Sequence, residues 1–305
     1  MKKAAFLFSA IMVLVVIVST QSCQSTKSGT ASKLLRFNYE NGKGYDYEMS
    51  MELNQVVMGQ RVPTTVQYYY SMDVAPGNEG TKAISTTFER LKMEVSVGAY
   101  SMIIDSDKPE TKPDEDNPMS VVENKMNTLM RSVKGRKFTM IVDDAGDVKE
   151  VTGFEGMAEV MADSLGLAEE QKAELVKNFK DQFNKDEVKS QFAQVLYIFP
   201  NKEVKVGDSW EKEYGSGKQL GNGKFISTYT VKEIEGDIVT LEERSKLMEG
   251  NGERTMKGKK SGIITVDSKT GLVVDAEHEL DMIATINGKE MEIKGAIKIK
   301  GKARG

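Results

Sequence analysis

Residues 275–300 read DAEHELDMIATINGKEMEIKGAIKIK, and the reading of this stretch decides the fold. Asn287-Gly288 at its centre is a dipeptide favoured in two-residue type I′ hairpin turns, because both turn positions need positive φ. Pairing Ile286 with Lys289 across the turn fixes the register of the two flanking strands. Asp281 then faces Lys294, Glu277 faces Lys298 and Asp275 faces Lys300, all on one side of the ribbon. On the other side Met282 meets Ile293, His278 meets Ile297 and Ala284 meets Met291. Such cross-strand pairs each contribute a few tenths to about 1 kcal/mol. A slip by one residue would turn the charges inward, so the register is firmly set.

The same period of two runs through the first third of the chain. Tyr45 to Asn54 alternates apolar and polar residues without a break, as a strand with one wet face must. Val62, Val66, Tyr68, Tyr70, Met72 and Val74 share one face of the next segment. From Ile84 to Val97 the pattern changes phase, with Ile84, Thr86 and Phe88 followed by Leu91, Met93, Val95 and Val97, which places a bulge near Glu89-Arg90. Tyr100, Met102 and Ile104 form a further short strand.

Residues 106–118 then break the alternation. This connector is acidic and carries Pro109, Pro113 and Pro118. Asn117-Pro118 reads as an N-cap and first-turn proline. A helix follows with Val122, Met126, Leu129, Met130 and Val133 on one face, and Gly135 stops it. Phe138 to Val142 and Val148 to Val151 read as a hairpin. Phe154 to Leu196 reads as three helical pieces, the first ended by Gly166 and the third capped by Asn184, with Val188, Phe192, Val195 and Leu196 on one face. Alternation resumes in Lys224–Ile234, Ile238–Lys246 and Arg254–Val266. Strands, then helices, then strands predict an α+β fold: a large curved antiparallel sheet of about 11 to 13 strands in two blocks, with a central helical segment on one face.

The N-terminus divides as a bacterial signal peptide does. Lys2 and Lys3 precede an apolar run from Ala4 to Val18, shorter than the about 20 residues a membrane-spanning helix needs. Ser19-Thr20-Gln21-Ser22 leads into Cys23, the only cysteine, placed as in a lipobox except that Thr20 stands where an aliphatic residue is commoner. The expected organisation is a signal peptide over 1–22, a lipidated flexible tether over 23–33, and one α+β domain over 34–305. That domain comprises a strand block (34–105), the connector, a helical block with its hairpin (119–200) and a second strand block (201–300). Several acyl chains on one sulfur give stable anchoring where one chain does not. A lone cysteine leaves no intramolecular disulfide, so packing alone stabilises the fold. The formal net charge of −4 argues against a nucleic-acid partner.

Few residues offer catalysis. His278 is the only histidine and falls on the apolar side of the hairpin, where it reads as a partly buried or edge residue. With Cys23 taken by the anchor, thiol nucleophiles and Cys-type zinc sites are excluded, and no nucleophile elbow, dinucleotide or P-loop glycine pattern follows a strand. Asp143-Asp144-Ala145-Gly146-Asp147 lacks the closing glutamate of a calcium loop and reads as a hairpin turn. Lys257-Gly258-Lys259-Lys260 reads as a solvated strand edge. The expectation is therefore no catalytic residue, no metal and no cofactor. The chain holds 18 methionines, many on predicted dry faces. Methionine suits surfaces that must fit variable apolar partners, and Met49, Met51, Met126 and Met130 are the candidates to line an apolar ligand. The same methionines also read as an ordinary core.

Several short motifs carry a resemblance. Cys23, the Asp144-x-Gly146-x-Val148 turn, Val206-Gly207-Asp208-Ser209-Trp210 after Pro200, and Asp267-Ser268-Lys269-Thr270-Gly271-Leu272-Val273 together resemble a family of uncharacterised exported lipoproteins of Bacteroidota, a domain of unknown function. The order of elements is more distantly similar to the half-barrels of periplasmic lipoprotein carriers, an analogy of fold alone. The resemblance implies address and architecture and no catalytic residue. Gln24 to Ser28 carries no acid, which points to the outer membrane facing the periplasm. The function expected is that of a non-enzymatic, membrane-anchored binding or envelope protein, the alternatives being a carrier of lipid or another apolar ligand and a carboxylate-only glycoside hydrolase.

Overall fold

The terminal hairpin forms in the expected register. Strands β13 (Leu272–Ile286) and β14 (Lys289–Arg304) pair Ile286 with Lys289, Asp281 with Lys294 and His278 with Ile297. Gly288 takes the positive φ, 75°, that the turn requires. The computed structural model describes residues 32–305 except positions 58, 59, 79, 98, 99, 115, 155, 183, 184, 219, 220, 252, 253 and 287, within one unit, Ser32–Gly305. The expected signal peptide, Cys23 and the expected tether up to residue 31, the expected Asn184 cap and Asn287 of the turn lie outside the described residues.

The N-terminal strands are β1 (Lys33–Leu35), β2 (Gly44–Val57), β3 (Gln60–Pro76), β4 (Thr81–Val97) and β5 (Tyr100–Asp105). Helix α1 (Pro118–Val133), the hairpin β6 (Lys137–Asp143) and β7 (Val148–Thr152), and helices α2 (Met157–Ser164), α3 (Glu169–Gln182) and α4 (Lys185–Leu196) follow. The chain then forms β8 (Lys202–Val204), β9 (Ser209–Gly215), β10 (Lys224–Glu235), β11 (Ile238–Met248) and β12 (Arg254–Asp267) before the terminal hairpin. Twelve strands make one antiparallel sheet in the order β7-β6-β4-β3-β2-β14-β13-β12-β11-β10-β9, with β5 also on β4. The small pair β1-β8 stands apart. The two strand blocks are one sheet because β14 pairs with β2, from Ile293 against Gln55 to Arg304 against Gly44.

Local chemistry explains the elements. The phase change in β4 is a bulge: Tyr69 pairs with Arg90 but Tyr70 with Phe88, leaving Glu89 as the extra residue. Phe88 and Met93 therefore point to the same face. The Asn117 side chain caps α1, accepting from the Met119 N–H at 3.1 Å. On the predicted apolar face of α1, Val122 stays 46% exposed. In the β6–β7 turn Asp143 Oδ1 accepts from the N–H groups of Ala145 and Asp147, both at 2.9 Å. Lys149 pairs with Asp143 and Asp147 of that turn, and Lys189 with Asp147.

Two expectations are corrected. The run Lys257 to Lys260 is not a strand edge: β12 lies between β11 and β13, and Lys260 is only 2% exposed. His278, on β13, is likewise interior, at 4%. Each strand pairs with its sequence neighbours on both sides, β12 with β11 and β13, and β13 with β12 and β14, so a lysine-rich or histidine-bearing strand in this run has no free edge.

Candidate functional site

Helix α4 lies between the two ends of the sheet. At one end Lys189 pairs with Asp147 at 2.8 Å, and at the other the Ser190 hydroxyl donates to the Gly215 carbonyl at 2.7 Å. Just beyond the helix, the indole N–H of Trp210 donates to the Ile198 carbonyl at 2.8 Å. The predicted apolar face of α4 turns to the sheet, with Val188, Phe192, Val195 and Leu196 all buried. Phe192 packs on Tyr70 and Phe138, with ring centroids 5.8 and 5.9 Å away. Ala193 joins the neighbouring cluster of Tyr214, Phe225 and Leu247. One face of the sheet, the inner face, thus meets the helix.

A row of paired positions crosses this face. Tyr229 pairs with Glu243, Glu243 with Gly262, and Gly262 with His278. The row continues through Ile297, Met51, Val66 and Met93. The next row runs from Ser227 through Ser245 and Lys260 to Leu280, then past Gly295 to Leu53. The first row is polar from β10 to β13 and apolar from β14 to β4, and the second is polar from β10 to β12 only.

The polar part is a buried ionic network. Glu243 is 1% exposed, and its Oε1 lies 2.9 Å from Lys260 Nζ while its Oε2 lies 2.7 Å from His278 Nε2. Ser245 donates to Glu243, Ser227 and Ser245 share a hydrogen bond, and Tyr229 reaches Glu243 Oε1 at 3.4 Å. Lys260 also donates to Gln194 Oε1 of α4 at 3.3 Å. Burial penalises the Glu243 carboxylate, but Lys260, His278 and Ser245 together outweigh it and hold the carboxyl well below its usual range. Burial likewise pulls Lys260 down, and Glu243 and Tyr214 together more than offset it, so the ammonium is held above its usual value. His278 goes the other way: burial lowers it below 6.5, the Glu243 carboxylate opposes this only in part, and Lys260 lowers it further. The His278–Glu243 contact is short but poorly aligned, and neither ring nitrogen completes a hydrogen bond; the Tyr214 hydroxyl is also unpaired. Lys260 and Glu243 are thus charged and His278 neutral at pH 7.

The apolar part is more open. Met51, Met93, Val95 and Met102 are half-buried and lie outside the aromatic core, although Val66 and Ile104 among them are buried. The structure places Met51 in one row with Met93. Met49, one pairing level away, instead lines a crevice of about 10 Å³ with Tyr47, Tyr70, Met72 and Phe192. Met126 and Met130 are half-buried on α1, which rests on β5 and α2: the Asp105 N–H donates to Asn127 Oδ1 at 2.7 Å, and Leu129 and Val133 pack on Met157 and Met161. The four predicted methionines are therefore spread over two elements rather than gathered in one pocket.

Glu243, Lys260, Ser227 and Ser245 were missed by sequence reasoning, although a signal was there. In β11 the positions Val239, Leu241, Glu243, Ser245 and Leu247 share one phase, and all five are buried. A glutamate inside a dry phase needs a cation inside another, which Lys260 supplies in phase with Ile264.

Comparison with known proteins adds a family and no activity. Residues 79–273 match the model of a family of unknown function, DUF6263, and the chain belongs to that family. No curated protein matches. Among solved structures, the tesB protein MAP1729c of Mycobacterium avium subs paratuberculosis aligns at 10% identity over 86% of this chain and 79% of its own, with a TM-score of 0.12. OpdK of Pseudomonas aeruginosa, solved with vanillate, aligns at 9% identity over 88% of this chain and 70% of its own, with a TM-score of 0.13. At these scores neither alignment carries an argument about fold or function.

Proposed function

We propose that this member of the DUF6263 family is a non-enzymatic exported lipoprotein, anchored through Cys23 in the outer membrane facing the periplasm, that holds the acyl chain of an apolar ligand against its inner sheet face. The reading extends the resemblance to exported lipoproteins of Bacteroidota and to periplasmic carrier half-barrels. One observation carries the binding half of the proposal. Met51, Met93 and Met102 stay half-buried on the same face that elsewhere packs an aromatic core under α4. Flexible thioether side chains adapt to chains of varying length and kink, and Met126 and Met130 on α1 extend the same chemistry from the β5 side. The titratable groups support a binding role over a catalytic one. The charges of Glu243 and Lys260 are spent on each other, and among the described residues neither cleft is lined by a carboxylate.

Two measurements test it. Globomycin should trap an unprocessed precursor; normal processing in its presence ends the anchor claim. Protein extracted gently from its own membranes should carry a co-purified lipid by native mass spectrometry, and Met51→Glu with Met93→Glu should lose it. Consistently empty wild-type protein ends the carrier claim.

A further inference from the structure

Between the end of α1 and the start of α2 lies an open cleft of about 660 Å³. Its cations all come from the α1–β6 connection: Arg131, Lys134, Arg136 and Lys137. We propose that this cleft binds a phosphate-bearing anion through Arg131, Arg136 and Lys137.

The argument is one of uncompensated charge. Lys134 is held by Asp107, 2.6 Å away. The other three have no carboxylate partner among the described residues. Arg131 donates to the Lys108 carbonyl at 3.1 Å and to the Thr128 hydroxyl at 2.8 Å, and Arg136 donates to the Ser132 carbonyl at 3.2 Å. All three acceptors are neutral, and both guanidinium groups keep further N–H donors. Lys137 is exposed and forms no ion pair among the described residues. Three free positive charges thus face one concavity on a chain whose net charge is −4. A concave surface lined by one sign of charge concentrates counter-ions of the other. Guanidinium forks match phosphate oxygens in pairs, and a lysine adds a point charge. The volume lies within the range of small-ligand sites, about 300 to 1,000 Å³. Space is open on both sides of the cleft: a Cβ added at Gly135, among the cations, or at Gly156, on the α2 side, would meet nothing within 4 Å.

The proposal is independent of the acyl-chain reading and stands if the methionine face proves empty. Isothermal titration of the full-length protein should use two probes, glycerol 3-phosphate and dihexanoyl phosphatidylglycerol below its micelle concentration. At least one should bind, more weakly as salt is raised. Binding of the first identifies a free phosphate ester as the source, and binding of the second alone identifies a lipid headgroup. The exposed pair Arg136→Gln and Lys137→Gln should weaken binding by at least about tenfold. A control that removes two charges from the wet face of β14, Lys298→Gln with Lys300→Gln, should leave it unchanged. Failure of both probes, wild-type binding by the first variant, or an equal loss in the control each overturns the proposal.

Discussion

Glu243 and His278 meet across a strand that lies between theirs, with Oε2 and Nε2 2.7 Å apart over Gly262. The contact exists because β12 has no side chain at that level. A Cβ at Gly262 would run into the Glu277 carbonyl and approach His278 Cδ2 to 2.6 Å and its Cα to 2.8 Å. Gly262→Ala should therefore destabilise the fold by about 1–3 kcal/mol, the usual cost of overpacking, despite the gain alanine brings by reducing unfolded-state entropy. Urea unfolding measures this, and an unchanged midpoint would show that the strands separate freely there.

Lys260 and Glu243 should be coupled far more strongly than either is to the rest of the protein. Glu243→Gln leaves an ammonium in the sheet interior with only neutral oxygens such as Gln194 Oε1 to accept from it and no counter-charge, and should cost about 3–5 kcal/mol. Lys260→Met in that background removes the stranded charge. The double variant should thus be more stable than Glu243→Gln alone by at least about 2 kcal/mol. Additive losses in a double-mutant cycle would mean that water reaches the pair.

The pH dependence should carry the signature of His278. Its folded pKa is lowered from 6.5, so the unfolded chain binds its proton more readily. The stability it contributes is complete above pH 6.5 and is lost as pH falls through that value toward the folded one, at no more than about 1.36 kcal/mol per pH unit. Glu243, held below its usual 4.5, adds a second loss only at lower pH. Since His278 is the only histidine, His278→Gln should flatten the first decline and leave the second. A first decline that persists in the variant assigns it elsewhere.

What could be read in advance follows from how far each feature reaches along the chain. The β13–β14 register was legible because one turn dipeptide and the alternation beside it are local. The same holds for the bulge at Glu89 and the Asn117 cap. The pairing of β14 with β2 joins residues more than two hundred positions apart, and nothing in either segment names the other. β12 is interior through its neighbours β11 and β13, while the helix α4, far off in sequence, supplies Gln194 to Lys260 and completes its burial. The methionines were legible as a dry-face chemistry, but which of them stay half-open depends on where α4 lies.

That helix should draw its stability from burial rather than charge. Lys189 and Asp147 form a well-made pair at 2.8 Å, but Lys189 is 41% exposed, and such pairs contribute about 0–1 kcal/mol. Phe192 is 5% exposed and packs between Tyr70 and Phe138. Phe192→Ala removes a ring that the rigid sheet beneath cannot collapse to replace, and should cost about 3–5 kcal/mol. Lys189→Ala should stay within about 1 kcal/mol of wild type. Hydrogen exchange gives the local test: Phe192→Ala should speed exchange in α4 and its contacts on β7 and β9 more than in β13 and β14, whose ladder the helix does not hold together. Uniform acceleration across the sheet would show instead that α4 and the strands unfold as one unit.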